Sequence, residues 1–202
     1  MTTQVSKDNP VRLVLFASGS GSNVENIVNH FADKQEVEIT AVYCNKEGAG
    51  VLDRAKRLGI PSRVFSRTEW RDPEGICREL VQSNTDLIVL AGFLWLVPAH
   101  IVSAFAERII NIHPALLPKY GGKGMYGHHV HEAVVAHGEK ETGITIHYVN
   151  EHYDEGAIIF QKSVALSPAD SPNEVAQKVH QLEYAHFPQV IEEILHKKGK
   201  IG

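Results

Sequence analysis

The chain has 202 residues, of which 43% are hydrophobic and 22% are charged, as in ordinary soluble globular proteins that bury a sizeable core. Its formal net charge of -4 and its pI near 6.3 argue against general electrostatic binding to nucleic acid or to an anionic membrane. The two cysteines, Cys44 and Cys77, are isolated in sequence, which indicates free thiols in a reducing compartment.

The chain starts with a polar stretch, residues 1–10, that lacks the apolar core of a signal peptide. We predict that this stretch is a disordered N-terminus. The longest apolar run, residues 87–97, is too short to cross a bilayer as a helix. The sequence therefore predicts a cytoplasmic protein with a single domain over residues 11–202.

The first half of this domain alternates between apolar strands and amphipathic helices. Strands are predicted at residues 11–17, 37–43, 61–65 and 86–91, and helices at residues 24–31, 50–58 and 73–83. The fourth strand is apolar throughout, which is typical of a central parallel strand buried on both faces. The alternation predicts an α/β fold with a doubly wound, mostly parallel, Rossmann-like sheet.

The second half departs from this alternation. A fifth strand is predicted at residues 109–112, followed by a glycine-rich loop at 119–127 and a helix at 128–137. The next two strands, at 142–149 and 157–164, have too short a connector for a helical crossover, so they are predicted to be antiparallel. A long C-terminal helix is predicted to begin near Ser171, which forms a capping box with Glu174.

The loop after the first strand is a candidate phosphate site with the sequence Ser18-Gly19-Ser20-Gly21-Ser22-Asn23. Its glycines let the backbone approach an anion, and the following helix start supplies N–H donors and a positive dipole end. Val24 stands where a dinucleotide fingerprint has its third glycine, and the second strand ends in Cys44-Asn45 rather than in an acid. The alternative is a glycine-rich turn with only a structural role.

Two polar residues at the end of the fifth strand form a second candidate site. Asn111 and His113 are two residues apart, so their side chains leave the same face of the strand, and Pro114 and Pro118 bar its continuation. Polar groups at the end of a core strand are costly unless they are paired or functional. They could instead only tie the loop to the backbone. Asp154, between the last two strands, is a further candidate, with a turn residue as its alternative.

Three neighbouring histidines, His128, His129 and His131, could in principle bind a metal ion. No carboxylate or cysteine stands beside them at a familiar ligand spacing, so we predict no metal site.

Several of these candidates follow strands of the predicted sheet. Ligands of doubly wound sheets bind at the carboxyl ends of the strands. Residues 18–23, the segment Ala91-Gly92-Phe93 and the pair Asn111 and His113 are therefore predicted to share one rim, suited to a phosphorylated molecule beside a hydrophobic one.

These motifs, continued by Lys119-Tyr120 and by Asp154 with Gly156, closely resemble those of the phosphoribosylglycinamide formyltransferase family, folate-dependent enzymes of purine synthesis. The resemblance extends from about Val11 to Leu195. It implies transfer of a formyl group from 10-formyltetrahydrofolate, as co-substrate, to the amine of glycinamide ribonucleotide, without a metal. It implies small-molecule partners and binding to neither nucleic acid nor membrane. It does not decide whether the protein is a monomer or a homodimer.

The resemblance also implies roles for individual residues. Asn111, His113 and Asp154 form the catalytic set, in which Asn111 and protonated His113 stabilise an oxyanion and Asp154 keeps His113 charged or positions a water. The remaining implied contacts are with the ribonucleotide, at Gly21, Ser22, Asn23 and Glu183, and with the folate, at Leu94, Trp95, Leu96, Val97, Asn111, Asn150 and Asp154. Residues 11–110 then form a phosphate-binding half, and residues 111–202 a catalytic and folate-binding half.

Three features depart from the family pattern. Trp95 and Pro73 stand where better-known members carry arginines, and the loop at residues 121–127 is several residues longer. The catalytic set is unaffected. The main alternative function is a 10-formyltetrahydrofolate hydrolase, which shares the catalytic set but typically carries an extra N-terminal domain.

Overall fold

The computed structural model describes residues 9–202, so residues 1–8 of the disordered N-terminus expected over residues 1–10 lie outside the described chain. The described chain divides into two compact units, one of residues 9–93 and 188–202 and the other of residues 94–187. Each unit is built on part of a seven-stranded sheet with the strand order β3-β2-β1-β4-β5-β6-β7. The single domain expected over residues 11–202, with its two functional halves, stays a prediction.

The first unit has a parallel sheet of four strands, β1 to β4, with β1 between β2 and β4. Every residue of β1 except Arg12 is buried, which is expected of a central strand. The predicted alternation of strands and helices is confirmed, with these bounds: β1 Val11–Ala17, α1 Ser22–Phe31, β2 Val37–Cys44, α2 Gly50–Arg57, β3 Ser62–Val64 and β4 Leu87–Leu90.

The helix predicted over residues 73–83 is confirmed in part, because the structure is helical there but kinks at Gly75. A short helix, α3, precedes it at Arg67–Arg71, and the kinked helix consists of a wide-turned segment at Pro73–Cys77 followed by α4 at Arg78–Gln82. Gly75 has non-helical angles of φ −85° and ψ −122°, and a Cβ placed on it would lie 2.3 Å from the Glu69 carbonyl oxygen. A side chain at this kink would therefore collide with the backbone of α3, so the observed conformation requires glycine here.

The second unit contains α5 at Ala99–Ala104, β5 at Ile109–His113 and α6 at His128–Ala136, followed by the hairpin of β6 at Glu141–Tyr148 and β7 at Ile158–Ala165. Strand β6 pairs antiparallel with β7, as predicted, and it also pairs antiparallel with β5, a pairing for which no prediction was made. The sequence pattern did not reveal α5, which is only six residues long.

The long C-terminal helix α7 spans Pro172–Lys197, as predicted. Ser171 and Glu174 form the expected capping box, because the Ser171 N–H donates to Glu174 Oε2 at 2.7 Å and the Glu174 N–H donates to Ser171 Oγ at 3.4 Å. Across residues 9–202, none of the helices combines the length and the apolar character that a membrane span requires.

Candidate active site

The second unit brings the predicted catalytic residues together around the end of β5. In the pairing of β5 with β6, Asn111 lies opposite His147, and His113 lies opposite Thr145. Residues that are directly opposite in an antiparallel pair share one face of the sheet, so these four side chains are neighbours. His113, Thr145 and His147 are buried, and Asn111 is partly exposed.

His113 is held by contacts at both of its ring nitrogens. Its Nε2 lies 2.7 Å from the Tyr120 carbonyl oxygen, and its Nδ1 lies 3.5 Å from Asp154 Oδ2. Because a carbonyl oxygen only accepts hydrogen bonds, Nε2 carries a proton, and Nδ1 is the atom that can gain or lose one. Burial lowers the pKa of His113 below its ordinary value, although the Asp154 carboxylate acts in the opposite direction.

Asp154 lies in the connector between β6 and β7. Its Oδ2 accepts a hydrogen bond from the Gly122 N–H at 2.9 Å, and its Oδ1 lies 3.6 Å from His147 Nε2. Burial alone raises the pKa of Asp154, but the imidazole of His147, the charge of His113 and the Gly122 N–H outweigh it, so the pKa lies below its ordinary value. The carboxyl group is therefore ionised near neutral pH.

Two residues of this site have left-handed backbone conformations, Tyr120 with φ 57° and Asp154 with φ 59°. Such conformations cost free energy in residues other than glycine, and they persist where the surrounding contacts hold them. Here those contacts are the bonds from His113 to Tyr120 and from Gly122 to Asp154. The strained backbone thus places a carbonyl and a carboxylate on opposite sides of the same imidazole.

The loop after β5 is tied to the two antiparallel strands. Thr145 Oγ1 donates to the Ala115 carbonyl at 2.7 Å and accepts the Leu117 N–H at 3.0 Å. Gln161 Nε2 donates to the Leu117 carbonyl at 3.0 Å. Further along, Lys119 Nζ and the Tyr120 hydroxyl both donate to Glu139 Oε1, at 2.8 Å and 2.9 Å. The loop that receives the His113 bond is therefore anchored at both ends.

His147 is a site residue that the sequence reasoning missed. It is 2% exposed, and its ring contacts Asn111 at 3.1 Å and the Tyr148 carbonyl at 2.8 Å. His147 lies in the strand predicted at residues 142–149, but the predicted antiparallel partner of that strand was the one at 157–164 and not the strand that carries Asn111. Finding it would have required the register between the two strands.

The candidate folate-binding residues all lie in the second unit. Leu94 and Leu96 are 42% and 38% exposed, whereas Val97 is buried and Trp95 is partly exposed. Asn150 Oδ1 accepts the His152 N–H at 2.9 Å within the hairpin connector. Glu183, the candidate ribonucleotide contact, is buried on α7. Their binding roles stay predictions.

The candidate phosphate loop lies in the first unit, between β1 and α1. Gly21 adopts φ 79° immediately before α1. Two hydrogen bonds from α2 hold the loop: the Val51 N–H donates to the Gly19 carbonyl at 3.0 Å, and Arg54 Nε donates to the Ser20 carbonyl at 2.8 Å. The first N–H groups of α1, which starts at Ser22, have no acceptor within the helix and can donate to an anion. Glu25 in the first turn forms ion pairs with Arg54 and Arg57, which offset its charge.

The three histidines at the start of α6 have different environments. His128 and His129 are exposed and lie near Glu132, at 3.6 Å and 3.3 Å, while His131 is 3% exposed. Between residues 9 and 202, no three histidine, cysteine, aspartate or glutamate side chains are arranged as the ligands of one metal ion.

The sequence also led us to expect that residues 18–23 and the pair of Asn111 and His113 share one rim of the sheet. This arrangement stays a prediction.

The sequence matches the family described as Formyl transferase over residues 11–191. The chain belongs to the formyl transferase family. This confirms the resemblance drawn from the motifs around Asn111, His113 and Asp154, and it covers nearly the whole described chain.

The chain is also similar to individual members of this family. The chain is 38% identical over 195 residues to the chloroplastic phosphoribosylglycinamide formyltransferase of Arabidopsis thaliana, covering 94% of this chain and 67% of the relative. It is 35% identical over 189 residues to the phosphoribosylglycinamide formyltransferase of Bacillus subtilis, covering 91% of this chain and 94% of the relative. The crystal structure of glycinamide ribonucleotide transformylase 1 from Geobacillus kaustophilus superposes with a TM-score of 0.83 at 34% identity, covering 93% of this chain and 100% of that one.

Proposed function

We propose that this protein transfers the formyl group of 10-formyltetrahydrofolate to the amine of phosphoribosylglycinamide, giving the N-formyl product and tetrahydrofolate in purine biosynthesis. The observation that carries the proposal is the position of His113, between the Asp154 carboxylate and the Tyr120 carbonyl and on the same strand as Asn111. The identities to phosphoribosylglycinamide formyltransferases support the choice of substrates.

The side chains of this site fit the chemistry of formyl transfer. When the amine attacks the formyl carbon, negative charge develops on the formyl oxygen, and an N–H of Asn111 can stabilise it. His113 is neutral near pH 7 in the unliganded protein, since burial lowers its pKa. Its Nδ1 can therefore accept the proton that the attacking nitrogen releases.

The proton taken up by His113 completes the reaction. The resulting imidazolium lies beside the ionised Asp154, which stabilises its positive charge. Nδ1 then returns the proton to N10 of the folate as the bond between N10 and the formyl carbon breaks. The net change is one N–H bond exchanged for another and one formyl group moved, so no further reactant is needed. The resemblance implied a protonated His113, whereas in this proposal the positive charge on His113 arises during the reaction.

The proposal also assigns residues that bind the ribonucleotide and the folate. The loop of residues 18–23 holds the ribonucleotide phosphate through backbone N–H groups, with Glu183 as a further ribonucleotide contact. The folate lies against Leu94–Val97, Asn111 and the connector from Asn150 to Asp154. Trp95 then supplies a ring where better-known members of the family carry an arginine. A cytoplasmic location belongs to the same proposal, and the homodimer stays a prediction.

The test is formyl transfer from 10-formyltetrahydrofolate, measured with and without phosphoribosylglycinamide. The proposal expects tetrahydrofolate and N-formyl ribonucleotide in equal amounts, and no turnover when the ribonucleotide is left out. Formate release that does not depend on the ribonucleotide would instead identify a 10-formyltetrahydrofolate hydrolase, the alternative that the named relatives do not favour.

A further inference from the structure

The buried imidazole of His147 has no part in the proton transfers described above. It lies on β6 directly opposite Asn111, is 2% exposed, and contacts two groups of the site. A buried polar ring of this kind is costly unless each nitrogen has a partner. Its partners therefore indicate what it does.

The Nδ1 atom of His147 fixes the tautomer of the ring. It lies 2.8 Å from the Tyr148 carbonyl oxygen, which can only accept, so Nδ1 carries a proton. Gly156 packs against this carbonyl so closely that a Cβ there would lie 1.7 Å from the oxygen and 3.5 Å from Nδ1. The register of β6 with β7 also shifts between Ile146 and His147, a local irregularity of the kind that re-aims side chains beside active sites.

The other ring nitrogen faces the carboxamide of Asn111. With a proton on Nδ1, the neutral ring presents a lone pair at Nε2, and Asn111 Nδ2 lies 3.1 Å from it. The amide nitrogen has two hydrogens, so it donates one to His147 and keeps one for a substrate. A flipped amide would set its oxygen against the Nε2 lone pair, which is unfavourable. Asp154 Oδ1 lies further from Nε2, at 3.6 Å, which is beyond hydrogen-bond distance, and the Gly122 N–H bonds the other carboxylate oxygen, Oδ2.

We propose that His147 is a positioning residue that holds the Asn111 carboxamide with its nitrogen, rather than its oxygen, available to the formyl oxygen. The chain of bonds runs from the Tyr148 carbonyl through the His147 ring to the Asn111 amide. The proposal rests on the proposed function for the identity of the acceptor, but the tautomer and the amide orientation are properties of the protein itself.

The first test determines which ring nitrogen of His147 carries the proton. Protein labelled with ¹⁵N-histidine is examined by NMR near neutral pH, and the His147 signals are assigned by their loss in His147→Gln. The proposal expects a proton on Nδ1 and none on Nε2. A proton on Nε2 would show that His147 pairs with Asp154 instead and would overturn the proposal, whether or not the enzyme transfers formyl groups.

The second test distinguishes the hydrogen bond that His147 accepts from Asn111 from the space that its ring fills in the core. In His147→Gln the Gln oxygen can still accept the Asn111 N–H, whereas His147→Met fills the site without an acceptor. We expect kcat to fall on the order of 100-fold in the Met variant and by no more than about tenfold in the Gln variant, with both KM values within about threefold of wild type. Ile146→Val, a change at a neighbouring core residue that is 0% exposed, is the control for lost packing.

Equal losses of kcat in the Gln and Met variants, or a loss in Ile146→Val as large as in the Met variant, would contradict a positioning role. A wild-type protein that transfers no formyl group to phosphoribosylglycinamide would instead refute the proposed function. In that event the NMR measurement still decides the role of His147.

Discussion

The Nδ1 atom of His113 lies 3.5 Å from Oδ2 of Asp154, although 41 positions separate the two residues along the chain. The opposite nitrogen is bound to the Tyr120 carbonyl, so the ring cannot rotate without losing both contacts. Burial and the carboxylate act in opposite directions on the pKa of His113, and burial has the larger effect. The site thus contains a neutral imidazole with a negative charge beside Nδ1, the atom that accepts a proton in the proposed function.

Replacement of either partner removes proton transfer. We expect His113→Ala and Asp154→Asn each to lower kcat by about 10²–10⁴, the usual range for general acid–base groups. Steady-state rates of formyl transfer measure this loss. The Asp154→Asn variant can still accept the Gly122 N–H through its amide oxygen, so the connector should keep its conformation.

These two variants need a control for binding and folding. Thermal unfolding and the KM for the ribonucleotide are expected to stay close to wild type, because neither residue belongs to the loop at residues 18–23. A kcat within about threefold of wild type in either variant would rule out the assigned roles.

The pH dependence of the rate reports the charge on Asp154. The carboxylate raises the pKa of His113 against the effect of burial, so its removal in Asp154→Asn lowers that pKa further. If His113 acts as a base, activity is lost as the pH falls through its pKa. The acidic limb of the kcat profile should therefore move to lower pH in Asp154→Asn, while the plateau falls.

Protonation of the substrate amine also lowers the rate at acidic pH, but it does so equally for the wild type and for Asp154→Asn. A difference between their two kcat profiles is therefore caused by a group of the enzyme. A limb that stays in place, or one that moves to higher pH, would show that Asp154 does not act on the charge of His113.

The fold was largely predictable because its strands are apolar and its helices amphipathic, patterns that survive in a single sequence. The helix predicted at residues 73–83 is kinked at Gly75, which packs against the Glu69 carbonyl six positions earlier, a contact that helical periodicity alone does not indicate. Asn111, His113 and Asp154 could be selected as candidates because they lie in recognisable motifs. His147 could not, because its importance depends on its register opposite Asn111. The neutral state of His113 follows from burial, which requires the structure.

The phosphate loop offers a matched pair of glycine substitutions. Gly21 has φ 79°, and a Cβ there would lie 2.5 Å from Val51 Cγ2 and 2.8 Å from Val51 Cα. At Gly19, two positions earlier, an added Cβ would have no heavy atom within 4 Å, and the residue needs no left-handed backbone. We expect Gly21→Ala to raise the ribonucleotide KM at least tenfold, since displacement by about 1 Å is enough for such a loss.

The KM for the folate should change by less than about threefold in Gly21→Ala, and Gly19→Ala should leave both KM values within about twofold of wild type. Steady-state kinetics with each substrate varied in turn give these values. Equal increases in both KM values in Gly21→Ala would argue against a phosphate role for this loop.

His131 makes the stability of the protein sensitive to acid. The ring is 3% exposed, and across residues 9–202 its Nδ1 has no hydrogen-bond partner. Burial, followed by the neighbouring His180 and His128, lowers its pKa from 6.5 to about 4. Between these values the unfolded chain binds a proton that the folded protein does not, so stability is lost as the pH falls from 6.5 towards 4.

Urea unfolding at pH 7 and pH 5 tests this effect. In the wild type, His131 should account for about 2 kcal/mol of the stability lost between the two pH values, since each unit of pKa shift corresponds to about 1.4 kcal/mol. His131→Leu should remove that part of the loss. It should also not weaken the protein at pH 7, because a buried nitrogen without a partner is replaced by an apolar group. His129→Leu changes an exposed histidine of the same helix, 62% exposed, and should leave the loss as it is in the wild type. The same pH dependence in His131→Leu and wild type would show that His131 is not held neutral by the fold.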